Sequence, residues 1–271
     1  MCGRASYSTA ALSSAASTLR CCELSSPPAA AAAKKNEATT AADAPKNNIS
    51  PGCMVRIFRY DHRINSVCCT PMIWGLLPSN GTAQSPHLFP ADNNFTPAPH
   101  YIMFNARSET VDTKISFQSL LRDGQSCIFA VDGYYEWTKS LSPIDKKKQP
   151  YFVKSSSSDT PLLLAGLWNE VKTGRRNSDN EEEIISTFTI LTTEAHPKYA
   201  WLHPRQPCIL DNSTVAREWL QNPSKALVDE IRCLASGKQQ PNDIESKDAD
   251  PWECYPVTKK MNDAKYQATR R

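Results

Sequence analysis

The chain has 271 residues, with 31 Lys and Arg against 28 Asp and Glu, and its formal charge of +3 is too small to mark a nucleic-acid partner by itself. Its ten cysteines form two adjacent pairs, Cys21-Cys22 and Cys68-Cys69, and otherwise scatter without C-x-x-C spacing or a secretory h-region, which argues against a disulfide scaffold or a structural zinc site. No apolar run reaches the roughly 18–20 residues of a membrane span. Reduced thiols in an intracellular protein, nuclear or cytoplasmic, are expected, with no membrane partner and no cofactor.

In chain order, Thr9 to Leu19 is Ala-rich and reads as a short helix. Residues 25–47 are low-complexity and read as a flexible insertion. A strand is expected after the Pro-Gly turn of "NNISPGCMVRIFRY", through Val55, Ile57, Arg59 and Tyr60, and a second in "CCTPMIWGLLP". A turn-rich loop follows over about 81–100, then a brief helix at "FQSLLRD". The β-branched and aromatic runs "SCIFAVDGYYEW", "PYFVKSS", "PLLLAGLWNEV" and "IISTFTILTT" predict several strands of one sheet system. "STVAREWLQN" and "SKALVDEIRCLAS" predict two helices, the second with Ala226, Leu227, Ile231 and Leu234 on its apolar face. "CYPVTKK" predicts a last strand before a polar tail. The pattern is that of one α+β domain over 1–271, largely antiparallel.

Four polar stretches adjoin these apolar segments: "MCGR", "NARSET" (Asn105 to Thr110), "DGYYEW" (Asp132 to Trp137) and "LHPRQP" (Leu202 to Pro207). Removal of Met1 would leave Cys2 with an α-amine and a thiol on adjacent carbons. An α-amine titrates near ~7.7–8.0 and is partly neutral at physiological pH, unlike a lysine at about 10.4. Strand alternation puts Tyr134 and Glu136 on one face, Tyr135 and Trp137 on the other. Each residue also has a plain structural reading. Glu136 would sit at a sheet edge in water, and His203 on the surface of a proline-bounded loop. Asn105 and Arg107 would cap a helix and pair with an acid, and Trp74 would lie in the core. The first 22 residues, with Arg4 and Arg20 and no acid before Glu23, also suit a transit peptide by composition alone.

Taken together and in order, "MCGR", "NNISPG", "MIWGLLP", "NARSET", "DGYYEW" with "QPYFV", "LLLAGLW", "FTILTTEA", "LHPRQPCIL" and "YPVTKKMN" resemble the SOS-response-associated peptidase (SRAP) family, from residue 2 to about 262. The resemblance implies a barrel-like sheet system with peripheral helices. It implies a monomer that senses abasic sites in single-stranded DNA and shields them during the DNA damage response. The Cys2 amine would form a Schiff base with the ring-opened sugar, and the thiol would close a thiazolidine ring. Glu136 would act as general acid/base, Asn105 would orient the Cys2 terminus or the sugar, and His203 would assist proton transfers, above all in reversal. Arg4, Arg107 and Arg205 would meet phosphates, Trp74 would stack on a base, and Thr192 would add a polar contact.

Two positions depart from the family pattern. Gln206 stands where the histidine motif usually has methionine, and Ser79-Asn80 where a tryptophan often follows "WGLLP". Two other readings compete with covalent capture: a cysteine peptidase using Cys2 and His203, and a non-catalytic reader of modified bases resting on Trp74 and the arginines. The downstream motifs make the terminus an active-site element rather than a discarded leader.

Overall fold

The hairpin Met54–Asp61 (β3) and Ser66–Trp74 (β4) stays in register from Met54↔Ile73 to Asp61↔Ser66, and its turn uses Asn65 at φ 52°. It belongs to a computed structural model that describes residues 2–22, 46–77, 103–138, 148–157, 159–176, 180–236 and 252–267. Most of the low-complexity insertion, Ser79-Asn80 and the loop over 81–100 lie outside the described residues. Before the hairpin come Ala5–Tyr7 (β1), helix Thr9–Leu19 (α1) and Lys46–Ile49 (β2). After it come Asn105–Arg107 (β5), helix Ile115–Arg122 (α2), Ser126–Val131 (β6), Gly133–Trp137 (β7) and Pro150–Ser155 (β8). Leu162–Arg176 (β9), Glu182–Glu194 (β10), Arg205–Pro207 (β11), helices Ser213–Gln221 (α3) and Lys225–Ala235 (α4), and Trp252–Pro256 (β12) complete the elements.

Strand β3 pairs with β6, β6 with β9 and β9 with β10, all antiparallel. β10 then runs parallel to β4 through Thr187↔Ile73 and Phe188↔Trp74, which closes the five strands into a barrel. Beyond that contact β10 carries β5 in parallel on one side and β11 antiparallel on the other. The second sheet has the order β12-β8-β7-β1-β2. The largely antiparallel, barrel-like α+β architecture expected from the sequence is what forms.

The barrel is filled by Trp74, Phe129 and Phe188, whose ring centroids lie 5.4–6.4 Å apart. All three are buried. Ser8 caps α1 by accepting the Ala11 N–H at 3.1 Å, and Asn212 caps α3 by accepting from Thr214 at 2.7 Å. The apolar face of α4 differs from the sequence reading. Leu227, Val228, Ile231 and Ala235 are buried, whereas Ala226 and Leu234 face solvent. Leu227 and Ile231 fit either choice of stripe, and the helix settles with Val228 and Ala235 inward.

"SCIFAVDGYYEW" is two strands rather than one. Asp132 accepts hydrogen bonds from Ser6 and Ser8, and the chain there leaves the barrel (β6) for the second sheet (β7). The residues after β12 are polar but are not a tail. A 3-10 turn at Lys259–Asn262 and the residues to Gln267 fold back, and the carbonyls of Asp263 and Tyr266 each accept from Asn48 Nδ2 at 2.9 Å. Among the described residues no helix is long and apolar enough to cross a membrane.

Candidate functional site

The site begins with the pairing of β1 and β7. Ala5 stands opposite Tyr134 and Ser6 opposite Gly133, while Tyr135 donates its N–H to Arg4 O at 2.9 Å. That register draws the chain start along β7 and brings Cys2 within electrostatic reach of the Glu136 carboxylate. Both are inside: Cys2 is 0 % exposed and Glu136 5 %. Glu136 is therefore not the water-facing edge residue of its plain reading, and its Oε1 accepts the Trp137 N–H at 3.2 Å. Burial, and then the neighbouring negative charge of Glu136, push the Cys2 thiol far above the usual thiol range. The thiol is thus held neutral.

The barrel supplies the opposite wall. Asn105 on β5 donates from Nδ2 to the Cys2 carbonyl at 2.8 Å, which fixes the backbone of Cys2. Its Oδ1 is buried and accepts no hydrogen bond among the described residues. His203 precedes β11, and its Nδ1 accepts the Arg205 N–H at 3.0 Å. The same Nδ1 lies 3.0 Å from Arg205 O, so the ring is held by both backbone groups of Arg205 and either tautomer is accommodated. Gln206, the departure from the family pattern, is buried and fully used. Its Oε1 accepts from His196 N and its Nε2 donates to Ala235 O, both at 2.9 Å, tying the histidine loop to the end of α4.

A cleft of about 420 Å³ opens between these walls, lined by Gly3, Arg4, Glu136, Trp137, Lys148, His203 and Asn262. Arg4 is held in it by Asn48 Oδ1 at 2.9 Å, and its guanidinium lies 5.8 Å from the centre of the Trp137 ring. Three cationic or ionisable donors and one half-exposed indole thus converge on one opening, a composition suited to a polyanion with an aromatic or sugar component. Among the described residues no three His, Cys, Asp or Glu side chains converge as a metal site.

The structure brings Cys2, Asn105, Glu136, His203 and Arg4 together and revises three other candidates. Trp74 is fully buried, with Nε1 donating to Phe104 O at 3.1 Å and its ring nearly parallel to Phe188, so it has no face to offer a base. Thr192 is also fully buried. It donates to Ala106 O at 3.3 Å and contacts Arg205 rather than anything in the cleft. Arg205 is clamped by Glu109 through two bonds of 2.9 and 3.1 Å and by the Thr192 carbonyl, so its guanidinium is engaged within the protein. Burial raises the Glu109 carboxyl, but Arg205 outweighs it and the net displacement is downward. Arg107 remains exposed on β5.

Trp137, Lys148, Asn262 and Glu109 escaped the sequence reading. Trp137 was in view, since alternation places it opposite Glu136. At the very end of β7, however, both side chains border the same opening.

The SOS response associated peptidase (SRAP) family model matches residues 1–264. The chain is similar to the abasic site processing protein HMCES of Xenopus tropicalis, 26 % identical over 193 residues that cover 65 % of this chain and 52 % of that protein. It is also similar to the abasic site processing protein YoqW of Bacillus subtilis, 34 % identical over 165 residues, 61 % of this chain and 64 % of that one. The chain thus spans about half to under two thirds of these relatives' lengths. In fold it resembles the crystal structure of a phage-related protein from Bordetella bronchiseptica, with TM-score 0.57, 22 % identity and 94 % of each chain covered. With the motifs in order, the N-terminal cysteine seated beside Glu136 and a family match over nearly its whole length, this chain belongs to the SOS response associated peptidase family.

Proposed function

We propose that the protein recognises abasic sites in single-stranded DNA and captures them covalently through Cys2 once Met1 has been removed. The observation that carries this reading is the seat of Cys2: buried beside the Glu136 carboxylate, with its carbonyl held by Asn105, next in the chain to Gly3 of a cleft lined also by Arg4, Glu136, Trp137 and His203. The names of the relatives, abasic site processing proteins, agree with it.

In this scheme the neutral α-amine attacks the aldehyde carbon of the ring-opened sugar. Proton transfers through Glu136 expel one water and leave an imine. The Cys2 sulfur then adds to the imine carbon while its proton passes, by way of Glu136, to the nitrogen. One water is lost overall, and nothing is oxidised or reduced. His203, which lines the cleft, serves the proton transfers that reopen the ring. Arg4 and Lys148 meet phosphates, and Trp137 takes the stacking role that Trp74 cannot fill. Arg205, clamped by Glu109, positions His203 through its backbone. A thiolate peptidase fits less well, because burial and Glu136 both work against the thiolate it needs.

The test is to mix protein lacking Met1, verified by intact mass, with an oligonucleotide bearing one abasic site. A denaturation-resistant adduct is expected, with the summed mass less one water. Cys2→Ala should abolish the borohydride-independent product. Absence of adduct with correctly processed protein overturns the proposal.

A further inference from the structure

The two vicinal cysteine pairs noted in the sequence play no part in the chemistry above, yet the fold brings them together. Helix α1 ends at Arg20, whose φ of 54° and N–H bonds to Ala16 O and Ser17 O stop the helix, and Cys21 N–H follows onto Ala16 O at 2.9 Å. The cap aims the chain at β4. Cys22 N–H donates to Val67 O at 3.3 Å, and Cys22 Sγ lies 3.5 Å from the same oxygen. The Cys22 sulfur thus sits against the peptide that leads into Cys68. The Cys22 sulfur is also close enough to act electrostatically on the Cys68 thiol, and a disulfide between them needs α-carbons roughly 4.4–6.8 Å apart. On β4, Cys68 is paired across the strand with Arg59, whose guanidinium lies 4.8 Å from the Trp168 ring centre. Cys69, next in the strand, is fully buried.

We infer that Cys22 and Cys68 are a dithiol that closes to an intramolecular disulfide by exchange with a low-molecular-weight disulfide, fastening the end of α1 to β4. Cys22 is exposed and reacts first. Its sulfur attacks the small disulfide, releases one small thiol and keeps the other half as a mixed disulfide. Cys68 is almost buried, and that burial raises its thiol while the Arg59 guanidinium opposes the rise. It attacks the Cys22 sulfur from within the protein and expels the second small thiol. The protein loses two hydrogens, and the small disulfide is reduced to two thiols. Among the described residues no third His, Cys, Asp or Glu joins the pair as a metal site.

The full-length protein equilibrated with oxidised glutathione should lose two hydrogens in mass, keep no glutathione, and yield a Cys22–Cys68 peptide pair on non-reducing digestion. Closing that loop should raise the thermal midpoint by roughly 5–10 °C, and dithiothreitol should reverse the rise. Cys22→Ser, at an exposed position, should abolish the bridge without disturbing the fold seen by circular dichroism, and Cys21→Ser should leave it intact. A lasting glutathione adduct at Cys22, a bridge made through Cys21, a bridge that survives in Cys22→Ser, or no mass change overturns the inference.

Discussion

In the proposed reaction Cys2 offers two nucleophiles, and its surroundings treat them differently. Asn105 anchors its carbonyl, which holds the backbone nitrogen in place, while burial and Glu136 keep the thiol protonated. Because the folded state favours the neutral thiol, the associated stability is fully present below the ordinary thiol value, about 8.5. It drains away as pH rises past that value. Iodoacetamide at pH 8 should therefore alkylate Cys2 at least about tenfold more slowly in the folded protein than in urea. Glu136→Gln removes the second upward influence and should speed alkylation, while abasic-site capture falls by roughly 10²–10⁴-fold. Equal alkylation rates in wild type and variant would break the link between that carboxylate and the thiol.

At the scale of elements, the barrel closes only because β9 passes very near both neighbours. Gly166 stands opposite Cys127 on β6 and Ile190 on β10. A Cβ there would lie 2.5 Å from Thr189 O and 3.0 Å from Cys127 Sγ. Gly166→Ala should cost at least about 1–3 kcal/mol, read as a lowered denaturation midpoint at unchanged m-value. The strands of the barrel were legible because apolar, β-branched runs of strand length have few other uses. Their closure was not, since the parallel contact of β4 with β10 joins residues more than a hundred positions apart. Nor was the break at Asp132, which depends on Ser6 of β1 and Ser8, the N-cap of α1. Trp74 and Trp137 both border apolar strands, and only tertiary packing decides which of them is filler and which borders the cleft.

For the whole molecule, the cleft is a seam. Cys2, Arg4 and Glu136 arrive on the second sheet, Asn105 and His203 on strands and loops of the barrel, and Asn262 from the segment that folds back after β12. The reactive residue types could be read from short motifs, because an N-terminal aminothiol and a glutamate within an aromatic strand are unusual in the chain. The frame around them could not. Polar residues 257–267 are held through backbone carbonyls, which leave no mark in composition.

Strand β1 lies between β7 and β2, an interior position that ties residues 5–7 to residues 46–49 and 133–134. It has no partners until residues 46–49 and 133–137 have also been made. Once they are paired, Cys2 is buried beneath the cleft. Under the proposed function, trimming of Met1 is expected to be fastest before β1 is paired, because pairing buries Cys2. A methionine aminopeptidase added to folded protein that retains Met1 should trim it far more slowly than it trims the urea-unfolded chain, as followed by intact mass. Comparable rates would show that the terminus opens freely after folding. In the proposed reaction a molecule that retains Met1 has the Cys2 nitrogen tied in a peptide bond and cannot close the thiazolidine ring.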